Sequence, residues 1–186
     1  MNTIEAKNRS AFAGIEALRA DGPNEEYRDQ LMLFGQFVGE WLLDVSFYEA
    51  DGSLQSHYLA DWMFSWILQG KAIQDVLMIP SREERANNPD AQIRSGTTLR
   101  FFDPALDAWR VLWMNPHSNT YILLIGSGQG AQIVLEGLDV DGSPLRWVFS
   151  EITPDSFLWT GHISKDGGNT WYMEQKMVAR RRDGSG

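Results

Sequence analysis

No cysteine occurs in the 186 residues, which excludes a disulfide framework, a thiolate metal site and a cysteine nucleophile. Histidine is nearly as scarce. His57, His117 and His162 stand on three separate segments with no close-spaced pair of the kind that clamps a metal, so no metal site is expected. Positive charge is also short: 16 Lys and Arg face 25 Asp and Glu. A net charge of −9 is the wrong sign for a nucleic-acid partner, whose binding needs a basic surface that releases counterions. The one dense basic run, Arg180-Arg181-Arg182, reads as a solvated tail. No stretch approaches the ~20 apolar residues of a membrane span. Residues 1–20 interleave Glu5, Lys7, Arg9, Glu16 and Arg19 with apolar positions, unlike a signal peptide. The expectation is a cytoplasmic protein with no nucleic-acid partner and no membrane insertion.

Aromatic side chains, by contrast, are abundant. Eight Trp, nine Phe and five Tyr make 12% of the chain, and rings that large must fill a core or line a cavity. Phe12, Ile15 and Leu18 recur at helical spacing in a weakly amphipathic arm, 1–23, which Asp21-Gly22-Pro23 ends. Asn24 offers an N-cap to a second helix, whose Tyr27, Leu31, Phe34 and Val38 share one face. Gly35 and Gly39 mark its exit.

From Glu40 onward the texture is one of short alternating runs between turn signals. Ten runs are read: 40–49, 54–67, 71–79, 96–102, 108–114, 120–125, 132–138, 145–152, 156–164 and 170–179. Links such as Ala50-Asp51-Gly52-Ser53 and Asp141-Gly142-Ser143-Pro144 are short turn chemistry, so sequence neighbours should pair as hairpins. Pro80 to Ser95 is the exception, a long polar loop or short helix. Gly126-Ser127-Gly128-Gln129-Gly130 reads as a flexible hairpin rather than a phosphate cradle, since no helix follows it. A meander of this length gains by closing on itself, because closure removes both exposed edges and a leading helix can cap one end. The barrel then spans 24–182, with 183–186 as a flexible tail.

Gly39-Glu40-Trp41, at the join of helix and first strand, resembles the G-x-W signature of lipocalins and related calycins. In that superfamily the Trp closes one end of the barrel under a basic residue from the last strand, a part that the resemblance gives to Arg180 or a neighbour. The stretch 61–80, with Trp62-Met63-Phe64-Ser65-Trp66, is similar to a bacterial family of calycin-like proteins of unknown function. The resemblance implies an all-β, antiparallel, up-and-down calycin-type barrel of eight to ten strands, related to lipocalins and fatty-acid-binding proteins. It lends no activity. The haem signature of some related barrels is not evident, and no cofactor is expected. Ser164-Lys165-Asp166-Gly167-Gly168-Asn169-Thr170-Trp171 resembles the Asp-box of sialidases, which is a structural hairpin there. One copy in a chain too short for a six-bladed propeller reads as a turn built on Asp166 with Trp171 beneath.

Strand period two turns Trp41, Leu43, Val45 and Phe47 inward, along with Trp109, Val111 and Trp113. The same logic directs Trp147, Phe149 and Glu151 inward, then Phe157, Trp159 and Ile163, and last Trp171, Met173, Gln175 and Met177. The second strand is apolar on nearly both faces and leaves Tyr58, Trp62, Phe64 and Trp66 unassigned. Candidate ligand contacts are therefore Trp62, Phe64, Trp66, Arg100, Trp113, Asn115, Trp147, Phe149, Trp159 and Gln175. Asp75 alternates with Ile73, Leu77 and Ile79 and is the best polar outlier, since a carboxylate on an apolar face should be paired or have a raised pKa. Arg100 is a candidate partner or an anchor for a ligand carboxylate, although a solvated face fits it better. His162 reads as outward, and His117 as sitting at a barrel mouth. Three uses stay open. One is a carrier or sensor of a small hydrophobic molecule, and a second is an enzyme using Asp75 or Glu151 as acid–base group. The third is a solid barrel for assembly, with Phe12, Ile15 and Leu18 as a homodimer arm.

Overall fold

The computed structural model describes residues 11–88 and 90–182. Ten strands run β1 (Gly39–Tyr48), β2 (Leu54–Ile67), β3 (Ala72–Ile79), β4 (Arg94–Asp103), β5 (Ala108–Asn115), β6 (Thr120–Gln129), β7 (Gln132–Leu138), β8 (Pro144–Ser150), β9 (Ser156–Ile163) and β10 (Tyr172–Arg181). Each pairs antiparallel with its sequence neighbours, and β1 pairs with β10, so the meander closes into an up-and-down barrel. Every expected run holds a strand. Among the described residues three helices accompany them: α1 (Ala13–Leu18), α2 (Arg28–Gly35) and α3 (Arg82–Asn87). Among the described residues no helix is long and apolar enough to cross a membrane.

The glycine-rich stretch differs from expectation. Gly126 to Gln129 belong to β6, with Gly126 opposite Leu135 and Gly128 opposite Ile133, and the chain turns only after them at Gly130. A Cβ at Gly128 would stand 3.2 Å from Leu33, so the bare backbone makes room for the helix cap rather than for flexibility. A bulge between Met173 and Gln175 also changes the last strand. Past it Gln175 and Met177 face inward as expected, but before it the phase is reversed. Tyr172 lies opposite the buried Ile163, while Trp171 turns outward beneath Arg146, whose guanidinium is 4.5 Å from the indole centroid.

α2 closes one end. Leu31 and Phe34 of its apolar face are buried, with Tyr27 and Val38 partly so. Asn24 does not cap it; its Oδ1 accepts from the Glu26 amide in a preceding turn. Phe34 meets Trp109 edge-on at 4.8 Å, and Phe37 meets Phe157 at 4.8 Å and Phe149 at 5.0 Å. Aromatic rings thus fill this half of the barrel.

Trp41 lies at the same end. Its Nε1 donates to the Phe37 carbonyl at 2.7 Å, and the Arg181 guanidinium covers its ring at 4.1 Å. Arg181 also donates to the carbonyls of Gln36, Val38 and Pro154. The covering residue is thus Arg181 and not Arg180, whose side chain is exposed on the opposite face of β10. Gly39 has φ +126°, and a Cβ there would stand 2.8 Å from Arg181 Nη1, so the glycine of the signature is required twice over. Nor is the basic run a solvated tail. Arg182 donates to Asp61 Oδ1 at 2.6 Å, a carboxylate buried on the outer face of β2, whose Oδ2 accepts from the Arg82 amide at the start of α3.

α1 buries none of its residues; Phe12 is 59% and Ile15 66% exposed. Its last residue and the segment after it are tied down, through the Leu18 carbonyl to the Leu68 amide and the Ala20 amide to the Trp66 carbonyl. Residues 1–10 of the expected arm, and the tail 183–186, lie outside the described residues.

Candidate functional site

The half of the barrel opposite α2 is not filled. A cavity of about 810 Å³ opens at the end where the β1–β2, β3–β4 and β5–β6 connections lie. That volume is within the usual range for a small-molecule pocket. Its walls are Trp62, Trp113, Trp147, Trp159 and Phe149, with aliphatic Leu77, Ile79, Leu135 and Met177 between them. Indoles interlock here, Trp147 of β8 to Trp159 of the neighbouring β9 at 5.5 Å and Trp113 of β5 to Trp147 across the interior at 6.4 Å. Gly96 makes this possible, because a Cβ there would collide with the Trp113 ring at 2.1 Å.

Most of the residues proposed from the sequence meet at this cavity: Trp62, Arg100, Trp113, Asn115, Trp147, Phe149, Trp159 and Gln175 all line it. Phe64 and Trp66 do not. They are inward residues of β2, but they lie nearer the closed end, where Phe64 faces Phe37 at 5.9 Å and Trp66 abuts Gly35 of α2. Asn115 lines the rim, yet its Oδ1 is committed to the amides of His117 and Ser118, a turn-forming role. His117 lies at the mouth as expected and shares a hydrogen bond of 3.3 Å with Ser95 Oγ.

Arg100 forms the polar floor, with Asp75 packed behind it. Asp75 faces inward from β3 and is 0% exposed; Arg100, inward from β4, is 2% exposed, so the solvated-face alternative for it is wrong. The two are not directly opposite; Asp75 pairs with Thr98, and the Arg100 side chain reaches diagonally to it. Arg100 Nη2 donates to Asp75 Oδ2, and the guanidinium carbon lies 4.9 Å from the Phe34 ring and 5.2 Å from that of Phe64. Burial pushes the Asp75 carboxyl above its ordinary pKa, against the opposing pull of Arg100, Trp62 and Thr98. Burial acts on Arg100 in the opposite sense, disfavouring its charge while Asp75 supports it. The pair leaves polar atoms unused: Arg100 Nε and Nη1, Trp62 Nε1 and Asp75 Oδ1 have no hydrogen-bond partner of good geometry. Such groups are uncommon in a folded interior, and here they cluster at the base of an open cavity.

Glu151 is excluded from the interior. β8 ends at Ser150, and Glu151 is an exposed residue with φ 51°, so its chain turns away before the period-two pattern can bring it in. His162 faces outward as expected, paired in register with Arg146, and burial lowers its pKa. The Asp-box is a closed hydrogen-bonded turn. Asp166 accepts from Ser164 Oγ, the Thr170 amide and Thr170 Oγ1 at 2.6–2.8 Å, and these bonds lower its pKa to about 2. Trp171 Nε1 closes back on the Gly168 carbonyl at 3.2 Å. Among the described residues no group of three His, Asp or Glu is placed to hold a metal ion.

Sequence reasoning missed much of the rim. Gln92, Ile93 and Arg94 come from the long β3–β4 connection and the start of β4, and Tyr58 and Phe47 from the β1–β2 hairpin. No periodic pattern marks Gln92 and Ile93. Arg94 shares parity with Arg100, a signal that the long loop before it conceals.

No protein-family model and no curated protein sequence matches the chain. Solved structures do resemble it. Rv2717c from M. tuberculosis superposes with a TM-score of 0.59 at 15% identity, over 83% of this chain and 98% of its own. The S-type phycobiliprotein lyase CPES from Guillardia theta gives 0.57 at 12% identity, over 87% and 99%. At these identities the likeness is one of fold, that of a closed antiparallel β-barrel.

Proposed function

We propose that this protein binds a small hydrophobic molecule inside the barrel, with apolar walls supplying affinity and the polar floor fixing orientation. The observation that carries the reading is the cavity of about 810 Å³, walled by four indoles and floored by an ion pair with unused N–H groups. A fold that served stability alone gains nothing from leaving such space open, because empty volume forfeits dispersion contacts. The likeness to a phycobiliprotein lyase supports the same barrel being compatible with small-molecule work, and it carries no residue across.

A ligand of about 20 non-hydrogen atoms at ~0.3 kcal/mol per atom would bind with about 6 kcal/mol, a dissociation constant in the tens of micromolar. Half of the eight Trp residues line the cavity, so occupancy should alter their emission. Saturable quenching or spectral shift is expected with at least one of a fatty acid, a terpenoid and a polycyclic aromatic. Linear, unsaturable responses to all three would remove the proposal. The enzyme alternative now rests on Asp75, Glu151 being outside. It predicts turnover that Asp75→Asn abolishes with the fold retained.

A further inference from the structure

The charges around the cavity run against those of the whole protein. The chain carries −9, yet among the described residues no Asp or Glu lines the cavity, while Arg94 and Arg100 both do. Both are on the inward face of β4, six residues apart, which at about 3.3 Å per residue separates their backbones by roughly 20 Å. The two guanidiniums therefore cannot close on one small group. Each addresses a different part of whatever enters.

Their electrostatic situations differ. Arg100 is buried and its charge is already matched by Asp75. A ligand carboxylate delivered to it would place a second negative charge beside Asp75 in an aromatic enclosure, with no cation to balance it. Of the four unused polar atoms at the floor, three are donors, Arg100 Nε, Arg100 Nη1 and Trp62 Nε1, against one acceptor, Asp75 Oδ1, so acceptors are in deficit. A neutral carbonyl meets that need. Arg94, at the rim, has an exposed side chain with no hydrogen bond or ion pair among the described residues, and its guanidinium carbon lies 5.9 Å from the Tyr58 ring centroid. It is a free cation at the entrance and can hold an anion where water shares the cost of desolvation.

We infer that the cavity takes an amphipathic monoanion with a neutral carbonyl directed to the Arg100–Trp62 floor and its anionic group at Arg94 in the mouth. The inference rests on the binding reading above and gives it a ligand class and a polarity. It corrects the simpler idea of a carboxylate buried on Arg100.

Three flat probes separate the parts: anthraquinone-2-carboxylate has both groups, anthracene-2-carboxylate lacks the carbonyls, and 2-(hydroxymethyl)anthraquinone lacks the anion. By isothermal titration the first should bind at least about tenfold tighter than either of the others, a factor that one added hydrogen bond to a charged donor supplies. Arg94→Gln should abolish the advantage of the carboxylate over the hydroxymethyl compound and leave the carbonyl advantage intact. Paired replacement Asp75→Leu with Arg100→Met, which keeps the interior neutral, should do the reverse. Equal affinity of the anthracene and anthraquinone carboxylates would overturn the floor assignment, and an unchanged carboxylate preference in Arg94→Gln would overturn the mouth assignment. If the double variant does not fold, the probe series and Arg94→Gln still decide both points. Equal binding of all three defeats this inference alone, whereas absence of saturable binding by any of them also counts against the cavity reading.

Discussion

Removing Arg100 should damage this protein far more than removing Arg100 and Asp75 together. In Arg100→Met the Asp75 carboxylate keeps its 0% exposure and loses its cation, leaving Trp62 and Thr98 beside it. Stranding a buried charge in this way costs about 3–5 kcal/mol, whereas exchanging a whole buried pair for apolar residues is neutral or stabilising by about 1–4 kcal/mol. With a urea dependence of about 2 kcal/mol/M for a domain of this size, the single variant should unfold roughly 1.5–2.5 M earlier than the parent. Asp75→Leu with Arg100→Met should unfold at or above the parental midpoint. The pH dependence gives a second reading of the same experiment. A carboxyl whose folded pKa is raised holds its proton in the native state after the unfolded chain has released it, so stability falls as pH rises from the unfolded value near 4. Burial already acts in this direction on Asp75 beside Arg100, and loss of the cation strengthens it. The single variant should therefore lose stability at up to about 1.4 kcal/mol per pH unit above pH 4, while the double variant shows none of this component. A loss below about 1 kcal/mol at pH 7 for Arg100→Met, with no coupling between the two sites, would refute a buried, mutually dependent pair.

Gly39→Ala should lower stability by about 2 kcal/mol or more in thermal unfolding, since it imposes φ +126° on an L-residue and presses a Cβ against Arg181; an unchanged Tm would remove the signature glycine from the account of the closed end. Asp166→Ala should flatten the acid limb of the stability profile. The lowered pKa of about 2 means that the stability due to Asp166 is full above its unfolded value and is lost as pH falls toward 2, and a parent and variant with parallel profiles between pH 4 and 2 would contradict this. Phe12→Ser with Ile15→Ser should leave Tm within about 2 °C, because neither side chain is buried. Light scattering on the same variant tests the homodimer arm: a dimeric parent reduced to half its mass would assign the contact to that helix.

The barrel was legible because its signals are local. Asp51-Gly52, Pro104, Pro116, Asp141-Gly142 and Gly167-Gly168 end one strand and begin the next, and short links leave antiparallel pairing as the only economical arrangement. Interior positions on β1, β5, β8 and β9 followed from period two. The errors arise where period two is interrupted or uninformative. The bulge at Met173 to Gln175 reversed Trp171 and Tyr172 through one extra residue, and nothing in Tyr172-Met173-Glu174-Gln175 announces it. Arg100 is flanked by Leu99 and by Phe101, whose ring is exposed, so polarity does not distinguish the two faces of β4. Its partnership with Asp75 depends on the β3–β4 register, and the loop from Pro80 to Ile93 hides that register from any hairpin rule. The rim was unreadable for the same reason, since Gln92 and Ile93 are placed by a loop that folds over the outside of β2 before returning to the mouth.

The position of the ion pair bears on why half of the barrel is open. An eight-stranded barrel has an interior that side chains can just fill, and ten strands enclose more. Here α2 and its aromatic partners occupy one half, and Arg100 lies on Phe34 and Phe64 at the surface of that filling. A chain selected for stability alone would have a methionine or leucine there, since a buried pair stabilises no more than apolar packing does. What the pair adds is a set of unpaired N–H groups at the base of an apolar chamber, and apolar packing cannot supply that. The two measurements on the double variant therefore have to be read together. Greater stability combined with loss of the carbonyl preference would mean that the pair is retained for recognition at a cost in stability. Greater stability with recognition intact would leave the pair without a binding role, and the specificity would then belong to the indole walls and the rim.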